Sequence, residues 1–211
     1  DIMVDKKVTF NRVIKDARPL DNNLGKPIAV ALSPLNNELY VLGFDGHQLT
    51  IFDRDDKGDL LVKQVLKNGV AGVEKFINPQ KIVVSPNGEF LYVACAGSDS
   101  LVVFHKLDTG QYTFLQAIDH LDVGGSGLEG ASSLAISSDG SKVYAAGESG
   151  VGLYLFSAGV DGRLSYKNKL LSVHDNELKR ISSLTLTEDN QHLLVATGKG
   201  NSLFIFKIKT I

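Results

Sequence analysis

Short apolar runs separated by polar turns recur along this chain with a single period. Tyr40, Tyr92 and Tyr144 are spaced by 52 residues, and Leu194 follows 50 later. Phe52, Phe104, Phe156 and Phe206 keep the same spacings. So do Ser33, Ser85, Ser137 and Thr187, which mark the turn before each Tyr-type run. Three landmarks in one register define four copies of a unit of about 50 residues, the signature of a repeat architecture.

Each unit predicts four strands. The first is a short apolar segment: Ala29 to Leu32, Ile82 to Val84, Leu134 to Ile136 and Leu184 to Leu186. The Tyr run comes next, then a Leu-X-(Ile/Val/Leu)-Phe run, both rich in the β-branched and aromatic residues that suit a pleated surface. The fourth run, such as Leu60 to Leu66 or Tyr112 to Ile118, alternates polar and apolar residues, as a strand with one wet face does. No helical period interrupts the series, which excludes a βαβ protein. Four antiparallel strands per unit, grading from apolar to polar, predict an all-β propeller whose inner strands are wedged between neighbouring blades.

Val8 to Ile14 falls in the register of the fourth strands, because Ile14, Leu66, Ile118 and Leu170 are each 52 apart. One propeller domain over residues 1–211 is therefore expected, with complete blades at 27–66, 79–118 and 131–170. A terminal blade would be built from 181–208 and closed by the N-terminal strand 8–14, giving a ring of four blades. The alternative is a four-blade segment of a larger, seven- or eight-bladed propeller. Closure would hide two strand edges that otherwise invite aggregation.

Composition narrows the function classes. Hydrophobic residues make up 43%, enough for a real core, and the formal net charge of −2 comes from scattered single charges. No basic stripe points to nucleic acid. The longest apolar runs are strand-sized, far short of the roughly 20 residues of a spanning helix, so membrane insertion is not expected. The first residues contain no apolar leader segment. Cys95 is the single cysteine, which rules out an internal disulfide and predicts a buried, inert thiol.

The repeat resembles the lactonase-type (YVTN-like) seven-bladed propeller repeat of 6-phosphogluconolactonase-like and surface-layer proteins. The residues that carry the resemblance are Ser85-Pro86-Asn87-Gly88, Leu91-Tyr92-Val93-Ala94, Gly97-Ser98-Asp99-Ser100 and Phe104. Weaker copies recur in the other units, so the likeness runs from Val8 onward. It implies a propeller fold and, for the activity, hydrolysis of a sugar lactone. With Trp absent, nothing supports a WD-type repeat within the wider WD40-like superfamily.

Candidate chemistry gathers where the repeat is least regular. In a propeller of this strand order, the loops joining second to third strands and those joining successive blades share one face of the disc, and loops on a rigid scaffold carry function. On that face the expected ligand-binding residues are Asp99, His120, Asp122, Glu129, Glu148, His174, Asp175 and Arg180. His120-Leu121-Asp122 and His174-Asp175 have the residue types of a general base with an orienting carboxylate, but not a metal-ligand spacing. Gly124-Gly125-Ser126-Gly127 has the composition of a phosphate cradle but no following helix, so it reads as a loop. Asp53 to Asp59 has the carboxylate density of a calcium loop without its terminal Glu, so it reads as a hairpin. No serine sits in a Gly-X-Ser-X-Gly turn. The residues alone thus predict a non-catalytic binding or scaffold module that takes a protein or small ligand on its loop face. No cofactor and no metal are expected. The setting expected for it is a larger parent chain in the bacterial periplasm or outside the cell. The resemblance supplies the alternative, a lactonase-like hydrolase.

Overall fold

The computed structural model describes residues 13–15, 24–125, 127–150, 152–170, 178–198 and 200–209. Among the described residues fifteen strands form four antiparallel sheets, each running outward in chain order. Blade 1 holds β1 (Pro27–Leu32), β2 (Glu38–Gly43), β3 (Gln48–Arg54) and β4 (Leu60–Lys67). Blade 2 holds β5 (Pro79–Val84), β6 (Phe90–Cys95), β7 (Ser100–Lys106) and β8 (Tyr112–Asp119). Blade 3 holds β9 (Ala131–Ile136), β10 (Lys142–Gly147), β11 (Leu153–Ala158) and β12 (Leu164–Leu170). Blade 4 has three described strands, β13 (Ile181–Leu186), β14 (His192–Thr197) and β15 (Ser202–Lys207).

The repeat in sequence is a repeat in register. Every inner pair is bulged at the same place, after Pro27, after Pro79, before Gly147 and after Ile181, and the three outer pairs are bulged at Phe52, Phe104 and Phe156. A bulge at a fixed position adds the same twist to each blade. The core is therefore a series of seams between blades. Tyr40, Leu42, Leu49 and Ile51 of blade 1 meet Ile82, Leu91, Val93 and Phe104 of blade 2 in one cluster. Tyr92, Leu101 and Val103 of blade 2 meet Leu134, Val143 and Phe156 of blade 3 in the next. Tyr144, Ala146 and Leu153 meet Leu184, Leu193 and Val195 in the third. Cys95 is fully buried in the first seam, and burial pushes its thiol pKa up, so it is inert as expected.

Polar clasps lock these apolar seams. The Gln64 amide donates to the Tyr112 carbonyl (2.7 Å) and accepts from the Tyr112 N–H (2.8 Å), gripping the outer strand of the next blade. Gln116, 52 residues on, does the same to Leu164 (3.1 and 2.8 Å). At the rim opposite the loop face, the buried Glu38 carboxylate is held by Lys63 Nζ (2.6 Å), Lys106 Nζ (2.8 Å) and the Tyr40 hydroxyl (2.8 Å), which itself lies 2.7 Å from the Tyr112 hydroxyl. Burial alone would push the Glu38 carboxyl up, but hydrogen bonds from Lys106, Lys63 and Tyr40 outweigh it and hold the pKa at about 2.

The four blades do not close on themselves. Inner strands touch in sequence, β1 with β5, β5 with β9 and β9 with β13, whereas no substantial contact joins β13 to β1. The chain is an open arc, as in the alternative reading of a segment of a larger propeller. The expected closing strand falls largely on residues 8–12, outside the described residues. Val13 and Ile14 are described, belong to no strand and are exposed at 63% and 42%. A four-blade ring would require the outer blades to meet, and the curvature set by three equivalent seams keeps them apart. Phe52, Phe104 and Phe156 are buried, but Phe206 is only half-buried and lines a groove of about 470 Å³, because no described strand covers β15 on its outer side.

Two expectations follow from these seams. Phe104→Ala should cost about 3–5 kcal/mol in urea unfolding, and Phe206→Ala clearly less, because its site is already partly open to water. Equal losses at the two positions would contradict the seam assignment. For Glu38, the folded-state pKa lies below the ordinary value of 4.5, so its contribution is fully present above that pH and is lost as pH falls toward about 2. On the order of 3 kcal/mol is at stake. Unfolding midpoints followed from about pH 6 to about pH 3 should fall in the wild type and fall less in Glu38→Gln.

Candidate functional site

The loop face is anchored at one position that recurs in every blade and at a second that is described in three of them. The residue before each innermost strand, Lys26, Asn78, Gly130 and Arg180, has positive φ (62°, 48°, 64° and 55°). Its carbonyl accepts a hydrogen bond from the residue just after the second strand: Phe44, Ala96, Glu148 and Gly198 (2.9–3.0 Å). The loop between second and third strands has a left-handed residue too, at His47, Asp99 and Asn201 (48°, 49° and 46°). For non-glycine residues such a conformation costs of order 1 kcal/mol, so it persists only where hydrogen bonds hold it.

At two of these positions the side chain makes that bond. The Asn78 N–H donates to His47 Nδ1 (3.1 Å), and the Gly130 N–H donates to Asp99 Oδ1 (2.7 Å), across the same interval of 31 residues. Asp99, expected as a ligand residue, is thus committed to the blade 2–blade 3 seam. Its neighbours work toward the other side: the Ser98 and Ser100 hydroxyls both donate to the Lys75 carbonyl (2.5 and 2.8 Å). The loop 98–100 therefore ties the interblade segment before its blade to the one after it.

Two polar groups flank this tie. On one side lie Lys75, Asp119, His120 and Asp122. Lys75 Nζ forms a short ion pair with the nearly buried Asp119, whose carboxylate also accepts from the Leu121 N–H (2.8 Å). The hydrogen bond from Lys75 holds the Asp119 carboxyl below its usual range, and in return Asp119 pushes the Lys75 pKa up. Asp122 accepts from the Asp119 N–H (2.9 Å), while His120 Nδ1 is buried without a hydrogen-bond partner. On the other side, Glu129 Oε2 accepts from the Gly127 N–H (2.6 Å), and the Glu129 carbonyl accepts from Ser149 (3.1 Å) and Gly150 (3.0 Å). This brings Glu129 beside the backbone of Glu148, whose side chain is exposed. Gly127 and Gly147 are required by close approach: a Cβ on the first would run into the Tyr154 ring, and one on the second into the Glu129 carbonyl. The glycine-rich run is thus partly a packing device.

Arg180 is exposed and stands directly before β13, at the blade 3–blade 4 seam. His174 and Asp175 lie outside the described residues. The Asp53–Asp59 loop is a hairpin in which Asp55 Oδ1 accepts from Lys57 (2.9 Å) and Asp59 (2.7 Å). Among the described residues no group of three His, Cys, Asp or Glu side chains is placed to hold a metal ion. No described helix is long and apolar enough to cross a membrane. Lys75 and Asp119 are the ion pair that sequence reasoning left unmatched. The only signal was a carboxylate at the end of an outer strand, directly before His120.

Comparison with known proteins places this repeat. Residues 27–121 match the lactonase, 7-bladed beta-propeller family. A structure described as a putative 6-phosphogluconolactonase from Bacteroides uniformis is 19% identical with a TM-score of 0.68, over 87% of this chain and 50% of that one. The Pseudomonas aeruginosa periplasmic gluconolactonase gives 17% and 0.68 over 87% and 50%. Kuenenia stuttgartiensis hydrazine synthase gives 20% and 0.67 over 96% and 49%. The chain therefore spans about half the length of the solved structures that it matches. No curated protein matches the sequence.

If Asp99 fastens the seam, Asp99→Ala should lower unfolding stability by about 1–2 kcal/mol, because it leaves the Gly130 N–H unpaired. Asp99→Asn should keep most of it, since its carbonyl can still accept. A thermal unfolding series in which Asp99→Ala matches the wild type would remove this residue from the seam.

Proposed function

We propose that this chain supplies about half the disc of a propeller that opens sugar lactones on its loop face. The observation that carries the reading is the match of residues 27–121 to the lactonase propeller family. Two relatives in fold whose descriptions name gluconolactonases support it. The chemistry asks for a carboxylate or imidazole that takes a proton from water as its oxygen attacks the lactone carbonyl. It also asks for a cation near the oxygen that gains charge, and the ring C–O bond then breaks and the alkoxide is protonated. Asp122, His120 and Glu148 supply the first kind of group, and Lys75 and Arg180 the second. The hydroxyls of a sugar ring match the acceptor-rich loops around Glu129. A second reading, a binding module without catalysis, is favoured by one observation: Asp99 and His47 are spent on the seams.

Glucono-δ-lactone and its 6-phosphate, titrated at neutral pH in a pH-stat, distinguish the two. The lactonase reading expects proton release above the spontaneous rate, reduced about tenfold or more by Arg180→Ala, His120→Ala or Glu148→Gln. Release equal to the buffer blank leaves only binding, which calorimetry with the same lactones would measure.

A further inference from the structure

The side chains that lock the blade 1–blade 2 seam at the rim have counterparts 52 residues on, and these form no polar clasp. Glu38 corresponds to Phe90, Tyr40 to Tyr92, Lys63 to Leu115, Lys106 to Ala158 and Tyr112 to Leu164. The strand register agrees: Lys106 pairs with Tyr112 across β7 and β8, and Ala158 with Leu164 across β11 and β12. In the first seam the Lys106 ammonium donates to Glu38 (2.8 Å) and lies over the Tyr112 ring, 5.6 Å from its centre. In the second seam the same position ends at a methyl group. A cavity of about 310 Å³ opens there, lined by Phe90, Tyr92 and Ala158 and bordered by Asp139.

The cavity is preformed and lacks a cation. Phe90 is pinned by the His105 ring stacked on it (5.1 Å between centres) and by Gly162, where a Cβ would run into the Phe90 ring. Tyr92 is only 1% exposed, yet its hydroxyl makes no hydrogen bond to a described residue, whereas that of Tyr40 meets Glu38 and Tyr112. A buried hydroxyl left without a partner costs stability, so the cavity holds an unmet polar demand. Asp139 stands exposed at the mouth and forms no ion pair among the described residues. Hydrogen bonds from Ser137 and Ser141 hold its carboxyl at about 2, so it is ionised. Asp161, which Arg163 approaches at 3.6 Å, adds negative charge from the adjoining turn. Burial first and that charge second push the Tyr92 hydroxyl up to about 12, which leaves it neutral and able to accept from an ammonium.

We propose that this cavity binds a short alkylammonium ion in the place that the Lys106 side chain fills one seam earlier. The alkyl chain lies on the Phe90 ring and the Ala158 methyl, and the ammonium is shared by the Tyr92 hydroxyl and the Asp139 carboxylate. Aromatic rings and a carboxylate together select an organic cation over a neutral molecule of the same shape. A volume near the lower end of ligand pockets suits a small amine. The site is on the rim away from the loop face, so it stands or falls independently of lactone hydrolysis.

The test is an amide NMR titration of the isotope-labelled chain with n-butylamine at neutral pH, set beside n-butanol as the uncharged counterpart. Saturable shifts around Tyr92, Ser141 and Ala158 are expected with the amine, at a dissociation constant of about 1 mM. The alcohol should bind about tenfold more weakly or worse. Tyr92→Phe and Asp139→Asn should each weaken the amine about fivefold or more, and Asp139→Asn should leave the alcohol unchanged. Ala158→Lys should abolish binding, because a tethered ammonium then fills the same space. Should that variant fail to fold, the exposed Asp139→Asn carries the comparison alone. Absence of saturable shifts with the amine would overturn the proposal and leave the cavity to water. Equal binding of the alcohol, shifts centred on the loop face, or undiminished binding in Asp139→Asn would overturn it as well.

Discussion

The seam between two blades is the interaction on which everything else in this chain depends. A four-stranded sheet with apolar residues on both faces cannot stand in water, so each blade is stable only between neighbours. The seam solves this with one set of positions used repeatedly: Tyr40, Leu49 and Ile51 in one blade, then Tyr92, Leu101 and Val103 in the next. Apolar burial supplies attraction without direction. Direction comes from the polar clasps around it, Gln64 and Gln116 at the outer strands, Glu38 at one rim, and His47 and Asp99 at the other. Each clasp is lost if a blade slides by one residue, because an alternating strand would turn the clasping side chain to the wrong face.

How much of this was legible in the sequence depended on whether a property is set within a unit or between units. The strands and their register were readable, since Tyr40, Phe52 and Ser33 mark equivalent places and local pattern fixes a strand. The clasps were not. Gln64 and Gln116 are visibly 52 apart, yet a glutamine in an alternating outer strand reads as solvated until the backbone of Tyr112 or Leu164 is seen opposite it. Asp99 looked like a free loop group for the same reason: sequence shows that a residue has an acceptor and not whether a neighbour already uses it. Phe206 shows the reverse failure. It repeats the register of Phe104 perfectly well, but burial belongs to the neighbourhood, and no described strand covers it.

The candidate site divides along the same line. Where a side chain repeats a function in successive blades, as Asp99 repeats His47, geometry explains it by the fold. Where a group has no counterpart, the fold does not require it. Lys75 and Asp119 belong to the second kind, because the position of Asp119 in blade 1 is Lys67, which makes no equivalent pair in the described contacts. The unpartnered His120 Nδ1 beside them is also hard to explain as packing, since a buried polar atom without a partner costs stability. The fold alone therefore does not account for the groups on this side of the loop 98–100 tie.

Rigidity and variability on the loop face have one cause. The carbonyls of Lys26, Asn78, Gly130 and Arg180 are each fixed by the same backbone hydrogen bond, whatever side chain the position carries. Because the anchor is a main-chain group, a lysine, an asparagine, a glycine and an arginine can all stand there at a modest conformational cost. The loops between anchors are then free to differ in length and charge without disturbing the seams. A scaffold built in this way separates the residues that hold blades together from those that meet a ligand. Side chains such as Arg180 or Glu148 can be exchanged while the backbone hydrogen bonds beneath them stay as they are.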